Sequence, residues 1–252
     1  MKFSIITVSY NSSSLLEKTI LSVINQTYRD YEYIIIDGGS TDDTKAIIDK
    51  YAEYISYWVS EPDKGIYDAM NKAARIAKGD WLFFINCDDQ FYNNAVLETV
   101  ARLIVTPDTI YYGDAVMLPD GHIHGGAFSK KGLCRLNICH QTIFYPRIVF
   151  EKYSYNTNYK LYADWNLNII CMGDKTISFS YMNELISYYM LGGASYMHND
   201  YAFEKDFYKI IRCNFGISYY IYLYYLHYKL KFIKLLFKMM GNHSLDDNWT
   251  IY

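Results

Sequence analysis

Two adjacent carboxylates, Asp88 and Asp89, close the stretch GDWLFFINCDD at residues 79–89. An apolar run, residues 81–85, precedes them directly. Five apolar residues in a row suit a strand buried on both faces, and such a strand delivers the acids to its carboxyl edge, where open α/β sheets bind ligands. Neighbouring carboxylates repel, so a crevice that holds both calls for a counter-charge. Oxygen donors of this kind suit Mg2+ or Mn2+, which bridge onward to a diphosphate. The alternative is that Asp88 caps the helix beginning near Asn93 while Asp89 is solvated. Asp37 ends a second apolar run, and the polar turn Ser9-Tyr10-Asn11 ends a third. These groups converge on one sheet edge if the strands are parallel. Asp164, between Ala163 and Trp165 in the apolar segment YKLYADWNLNIICM, also needs a reason. It is either a first-turn carboxylate stabilised by the helix dipole or an acid with a chemical role.

The elements that position these groups follow from periodicity. Residues 3–8 read as a strand, and Leu15, Leu16, Thr19, Ile20, Val23 and Ile24 as one helix face. Residues 33–36 read as a second strand and 54–60 as a third. Between them, Gly38-Gly39-Ser40-Thr41-Asp42-Asp43 makes a tight turn and helix start. Residues 67–78 are helical, with Met70, Ala73, Ala74 and Ala77 on one face, before the strand at 81–85. The alternation predicts a right-handed, mostly parallel sheet covered by helices. Neither GxGxxG nor GxxxxGK[ST] is present, so a nucleotide at this edge would be held by carboxylates, turns and a metal.

The totals narrow the classes. The chain has 252 residues, 51% hydrophobic, with a net charge of −3, which argues against nucleic acid as a partner. Five cysteines without a CxxC pair suit reduced thiols in the cytoplasm, not a disulfide framework or a zinc site. The first residues lack a signal-peptide pattern.

Three stretches in order, TVSYNSSSLLEKTILSVINQTYRDYEYIIIDGGSTDDT, SEPDKGIYDAMNKA and AKGDWLFFINCDD, resemble the family-2 glycosyltransferases of GT-A fold, in their bacterial surface-polysaccharide branch. The resemblance is close over residues 3–115 and looser over 135–190. It implies an α/β fold of GT-A type: a mostly parallel central sheet flanked by helices, with a C-terminal helical extension. It implies inverting transfer from a nucleoside-diphosphate sugar to a saccharide or lipid-linked saccharide acceptor. Thr7, Ser9, Tyr10, Asn11 and Asp37 would then hold the base and ribose, and Lys64, Gly65 and Asn71 would line the nucleotide. Asp88 would bind Mg2+ or Mn2+, although the first position of the metal motif is here Asn86. Asp89, His140 and Gln141 would lie near the donor sugar and acceptor. Asp164 matches the catalytic base, and partial burial against Trp165 would raise its pKa and suit it to that task. Physically, Asp37 can accept the ring N–H of uracil, but thymine and guanine offer similar donors. A UDP-sugar is favoured without being fixed. Lys64 is equally readable as a solvated loop lysine, and His140 and Gln141 as structural hydrogen-bonders.

The chain thus divides into a nucleotide-sugar half (1–115), an acceptor half of the same domain (116–200) and a tail (201–252). In the second half, Pro119-Asp120-Gly121 signals a hairpin. His122 and His124 on its second arm, with no third ligand nearby, read as a surface strand. Gly192-Gly193-Ala194-Ser195 reads as a loop on the acceptor side. Between residues 207 and 241 there are six Lys and Arg and no Asp or Glu. His227, Lys231, Lys234 and Lys238 form one helical stripe, with Tyr222, Leu226, Ile233, Phe237 and Met240 opposite. Such a helix either lies on an anionic membrane surface, which makes the protein peripheral on the inner face of the cell membrane, or packs on the domain.

Overall fold

The first four long apolar runs form the parallel layer that their alternation with helices requires. In a computed structural model describing residues 2–191 and 199–239, β1 (Phe3–Ser9), β2 (Tyr31–Asp37), β3 (Tyr57–Ser60) and β4 (Trp81–Phe84) lie in the order β3-β2-β1-β4, all parallel. The connections carry α1 (Ser13–Ile24), α2 (Thr44–Lys50) and α3 (Ile66–Ile76). β1 is buried along its whole length. A strand covered on both faces has no reason to alternate.

Beyond β4 the sheet becomes mixed. β5 (Gln90–Phe91), β6 (Thr109–Leu118), β7 (Ile123–His124), β8 (Ile143–Pro146) and β9 (Ser178–Met190) follow in the chain. β8 runs antiparallel to both β4 and β6, β9 runs parallel to β6, and β5 pairs antiparallel with the far edge of β9. The hairpin at 118–126 is formed by β6 and β7. The β6-to-β8 connection carries only the short helix α5 (Lys130–Leu133) in place of a crossover helix lying across the sheet, so β8 returns antiparallel. The parallel expectation therefore describes β1 to β4, and the mixed pairing lies beyond β4.

Helices cover both faces. α1 and α4 (Val96–Leu103) pack with Phe3, Phe83 and Phe144 on one side. On the other side α3 and α7 (Ala163–Gly173) meet α8 (Tyr201–Phe215), whose Phe203, Phe207, Ile211 and Phe215 repeat every four residues and are buried. Trp165 of α7 packs against the rings of Phe203 and Phe207. A short α6 (Ile148–Lys152) precedes α7, and α9 (Ile217–Met239) ends the described chain. Gly192 to Ser195, Met240, and the side chains of Ile233, Lys234, Phe237 and Lys238 lie outside the described residues.

At the amino edge of the sheet, buried Glu32 accepts from the Ser4 hydroxyl and from the Lys78 and Gly79 amides, locking the start of β4 beside β1. A Cβ at Gly79 would collide with the backbone amide of Ser4. Gly79→Ala should therefore destabilise the fold by about 1–3 kcal/mol, the usual cost of overpacking, read as a lower urea midpoint with an unchanged slope. An unchanged midpoint would show that the β1–β4 approach is looser than described.

Candidate active site

The carboxyl ends of β1, β2 and β4 and a 3-10 turn, His140–Thr142, bring most of the expected residues to one edge. Asp88 and Asp89 follow β4. Helix α4 begins only at Val96, and the Asn93 side chain takes the Ala95 amide, so Asp88 is not a cap. Asp88 has φ +80, a left-handed conformation that costs a non-glycine residue about 1–2 kcal/mol. No described residue donates a hydrogen bond to its carboxylate. Burial alone pushes its pKa up to about 6. Asp89 is almost fully buried, accepts from Gln141 Nε2 at 2.6 Å and the Met190 amide at 3.3 Å, and is pushed well above the usual range by burial and by Asp88. It ties the 3-10 turn and the end of β9 to β4.

The 3-10 turn also reaches Asp164. Asn86 Nδ2 stands 2.8 Å from His140 Nε2, and His140 Nδ1 stands 3.6 Å from Asp164 Oδ2. With the amide donating, Nε2 accepts and the ring proton sits on Nδ1, facing the carboxylate. Asp164 lies in the first turn of α7, but its oxygens face Tyr67 and Asn137, not the helix amides. Oδ1 is 2.8 Å from the Tyr67 hydroxyl and Oδ2 is 2.7 Å from Asn137 Nδ2. Asn137 Oδ1 in turn accepts from Asn168, whose Oδ1 accepts from the Tyr145 hydroxyl. The chain Tyr145–Asn168–Asn137–Asp164 is thus polarised in one direction, each donor pointing toward the carboxylate. Asn137 and Asn168 were not expected from the sequence. Their one signal is amides among apolar neighbours, at positions that the fold buries wholly or in part.

Several expected nucleotide ligands prove to be internal ties. Thr7 is fully buried, and its hydroxyl pairs with that of Tyr33. Asn71 clamps the backbone of Tyr155 through both amide atoms, at 2.9 Å each. Ser9 donates to Asp37. Asn11 takes the Thr41 amide while its own amide donates to Ser40. Asp37 is itself saturated: Ser9, Ser40 and Ser60 hydroxyls and the Gly39 and Ser40 amides all donate to it. Burial works to raise its pKa, but these bonds outweigh it and hold the carboxyl below its ordinary value. In this arrangement five donors occupy the Asp37 carboxylate, which ties the ends of β1, β2 and β3 together. Lys64 is exposed, and Gly65, at φ +116, makes the turn into α3 that only glycine adopts readily. Of the nucleotide set, Tyr10, Asn11, Lys64 and Gly65 are exposed, and Tyr10 offers a large ring. Next to it stands Asp63, from the turn Asp63-Lys64-Gly65 that the resemblance sets against the nucleotide. Its Oδ2 and the Tyr10 ring crowd the place where Gly38 would carry a side chain, so the absent side chain makes room for an acid from another loop.

A divalent cation fits a small set of hard oxygens here. Among the described residues no group of three or more His, Cys, Asp or Glu could hold a metal. The donors present are the unpartnered Asp88 carboxylate and Asn86 Oδ1, a buried oxygen without a hydrogen-bond partner. Two such oxygens on residues of one strand end suit Mg2+ or Mn2+ that takes its remaining ligands from phosphate and water. His122 and His124 do not join them: His122 pairs with Asp120, and His124 reaches the Asn137 carbonyl.

The likeness to known proteins agrees with this geometry. A glycosyltransferase of PGL/p-HBAD biosynthesis from Mycobacterium bovis is 37% identical over 211 residues, covering 81% of this chain and 82% of that one. A GalNAc(5)-diNAcBac-PP-undecaprenol beta-1,3-glucosyltransferase of Campylobacter jejuni is 31% identical over 52% of this chain and 43% of that one. Among solved structures, S. aureus TarS 1-349 with UDP-GlcNAc superposes with a TM-score of 0.67 at 20% identity, over 84% of this chain and 65% of that one. A Pyrobaculum calidifontis mannosyltransferase with GDP-Man and Mn2+ gives 0.62 at 16% identity, over 77% and 58%. The sequence profile of Glycosyl transferase family 2 matches residues 4–185, most of the sheet and the whole acidic edge. The chain is a glycosyltransferase of GT-A fold and belongs to glycosyl transferase family 2.

Proposed function

We propose that the protein inverts the anomeric centre as it moves a sugar from a nucleoside diphosphate, UDP in the first instance, to a hydroxyl of a saccharide or lipid-linked saccharide in cell-surface polysaccharide synthesis. The observation that carries this reading is Asp164, held by Tyr67 and Asn137 beside His140 and linked through that ring to Asn86 at the end of β4. A single displacement needs a base on the face opposite the leaving diphosphate. Asp164 comes from the acceptor half and Asp88 from the nucleotide half, which suits that division. When bound, the cation neutralises charge on the leaving diphosphate. Asp88 and Asn86 hold it, Tyr10 and Asp63 offer a ring face and an acceptor to the base, and Asp164 takes the proton of the attacking hydroxyl. UDP is supported by the UDP-GlcNAc complex of TarS and a lipid-linked acceptor by the name of the Campylobacter relative.

A panel of UDP-, dTDP- and GDP-sugars against free and lipid-linked acceptors tests the reading. The expected product has the opposite anomeric configuration from the donor. Retention of configuration would overturn the single displacement. Nucleotide binding with neither transfer nor donor hydrolysis would make the protein a non-catalytic binder.

A further inference from the structure

The structure separates two faces of α9 that the sequence merges. Tyr219, Tyr222 and Leu223 pack on the core, and Leu226 is half-buried beside them, so the face expected to meet a membrane is, in its described part, turned to the protein. The opposite face is also apolar. Ile217, Ile221, Tyr224 and Tyr228 step by four, three and four residues along one line, with Tyr225 beside it, and all are between 41% and 64% exposed. A helix apolar all round is ordinarily covered all round. Here the other side is largely open among the described residues, with Tyr224 also meeting the ring of Tyr208 from α8. Exposed His227 and Lys231 border the stripe on one flank and Lys229 on the other. Arg212, over the Tyr220 ring, and Lys131, over the Tyr222 ring, add charge from α8 and α5. No acidic residue occurs between 207 and 241 to offset them.

From this pattern we infer that the Ile217–Tyr228 stripe is a docking face for an anionic lipid bilayer, on which α9 lies parallel to the surface. An apolar centre with tyrosines and cationic borders matches the acyl boundary and the headgroups respectively. No described helix is long and apolar enough to cross a membrane, which leaves lying on the surface as the lipid-bound geometry for this helix. The one-signed borders favour lipid over a second copy of the chain, whose identical borders would meet like charge. The inference goes beyond the transferase reading and stands without it, because vesicle binding is measured in the absence of any sugar donor.

Co-sedimentation of the full chain with phosphatidylcholine vesicles, with and without phosphatidylglycerol, tests it. Binding should require the anionic lipid and weaken with salt, and Lys229→Gln and Lys231→Gln should each weaken it by roughly fivefold. Ile221→Asp combined with Tyr225→Asp should lower affinity more than tenfold while the thermal melt stays parental, since both side chains are exposed. Absence of vesicle binding by the parent, or equal binding by the double variant with a parental melt, would overturn the inference. So would a concentration-dependent dimer that the double variant dissolves and vesicles do not compete with; that result would assign the stripe to a second copy.

Discussion

Asp164→Asn should cut kcat by about 10²–10⁴, the usual worth of general-base assistance, while donor affinity stays nearly unchanged. The variant should fold. The Tyr67 hydroxyl lies 2.8 Å from Asp164 Oδ1 and 2.7 Å from the Leu161 carbonyl, so its hydrogen can turn to Leu161 while its oxygen accepts from the new amide. The amide oxygen can keep the bond from Asn137. What is lost is basicity alone. The pairing of kcat with donor affinity is the discriminating measurement, because a structural defect would lower both. Transfer at the parental rate would mean that another group takes the proton, and His140, 3.6 Å away, would be the next to replace.

The second large effect belongs to Asp88. Asp88→Asn keeps a residue type that tolerates positive φ but removes the charge of a carboxylate to which no described residue donates. Turnover should fall about 10²–10³-fold, as when a group that stabilises developing charge is deleted. The cation-dependent rise in melting temperature with UDP and Mn2+ should vanish. Without ligand the same variant should be more stable than the parent at pH 7.5. Folding raises the Asp88 pKa from 3.8 to about 6, so the folded chain holds this proton more tightly than the unfolded one. The stabilising contribution is complete below about pH 4 and is lost as pH rises through 6. The neutral amide escapes that loss, and the two melting curves should converge toward pH 4. Parental activity in excess chelator, or a variant destabilised at pH 7.5, would contradict this account of the site.

The parallel layer of β1 to β4 was legible because its signals are local. A strand buried on both faces writes itself as a continuous apolar run, and β1, β2 and β4 did so. The sharp turns at residues 38–43 and 62–65 write themselves in glycine and acids. The mixed pairing beyond β4 was not legible, since the partner of β8 or β9 is decided by packing among distant segments. Asp37 shows the same limit within the site. Its position after a strand was readable, but its saturation depends on Ser9 and on Ser60, residues from two other strands. Nothing in the helix of Asn71 reveals that the Tyr155 backbone will sit against its amide. His140 and Gln141, readable as either structural or functional, tie the 3-10 turn to Asn86, Asp89 and Asp164.

The packing of α8 on α7 has a practical side. Asp200 accepts from the Phe203 amide at the start of α8 and, through its other oxygen, from the amides of Leu161 and Tyr162 just before the helix that carries Asp164. Together with Phe203 and Phe207 on Trp165, this makes the tail a brace for α7 and the segment before it. Shortening the protein after residue 200 to gain solubility would strip several buried aromatic side chains, each worth about 3–5 kcal/mol, from a fold whose whole margin is about 5–15 kcal/mol. Solubility engineering should therefore keep α8 and α9 and recolour only the outer stripe of α9; a clipped chain that purifies poorly would say nothing about where the protein lives.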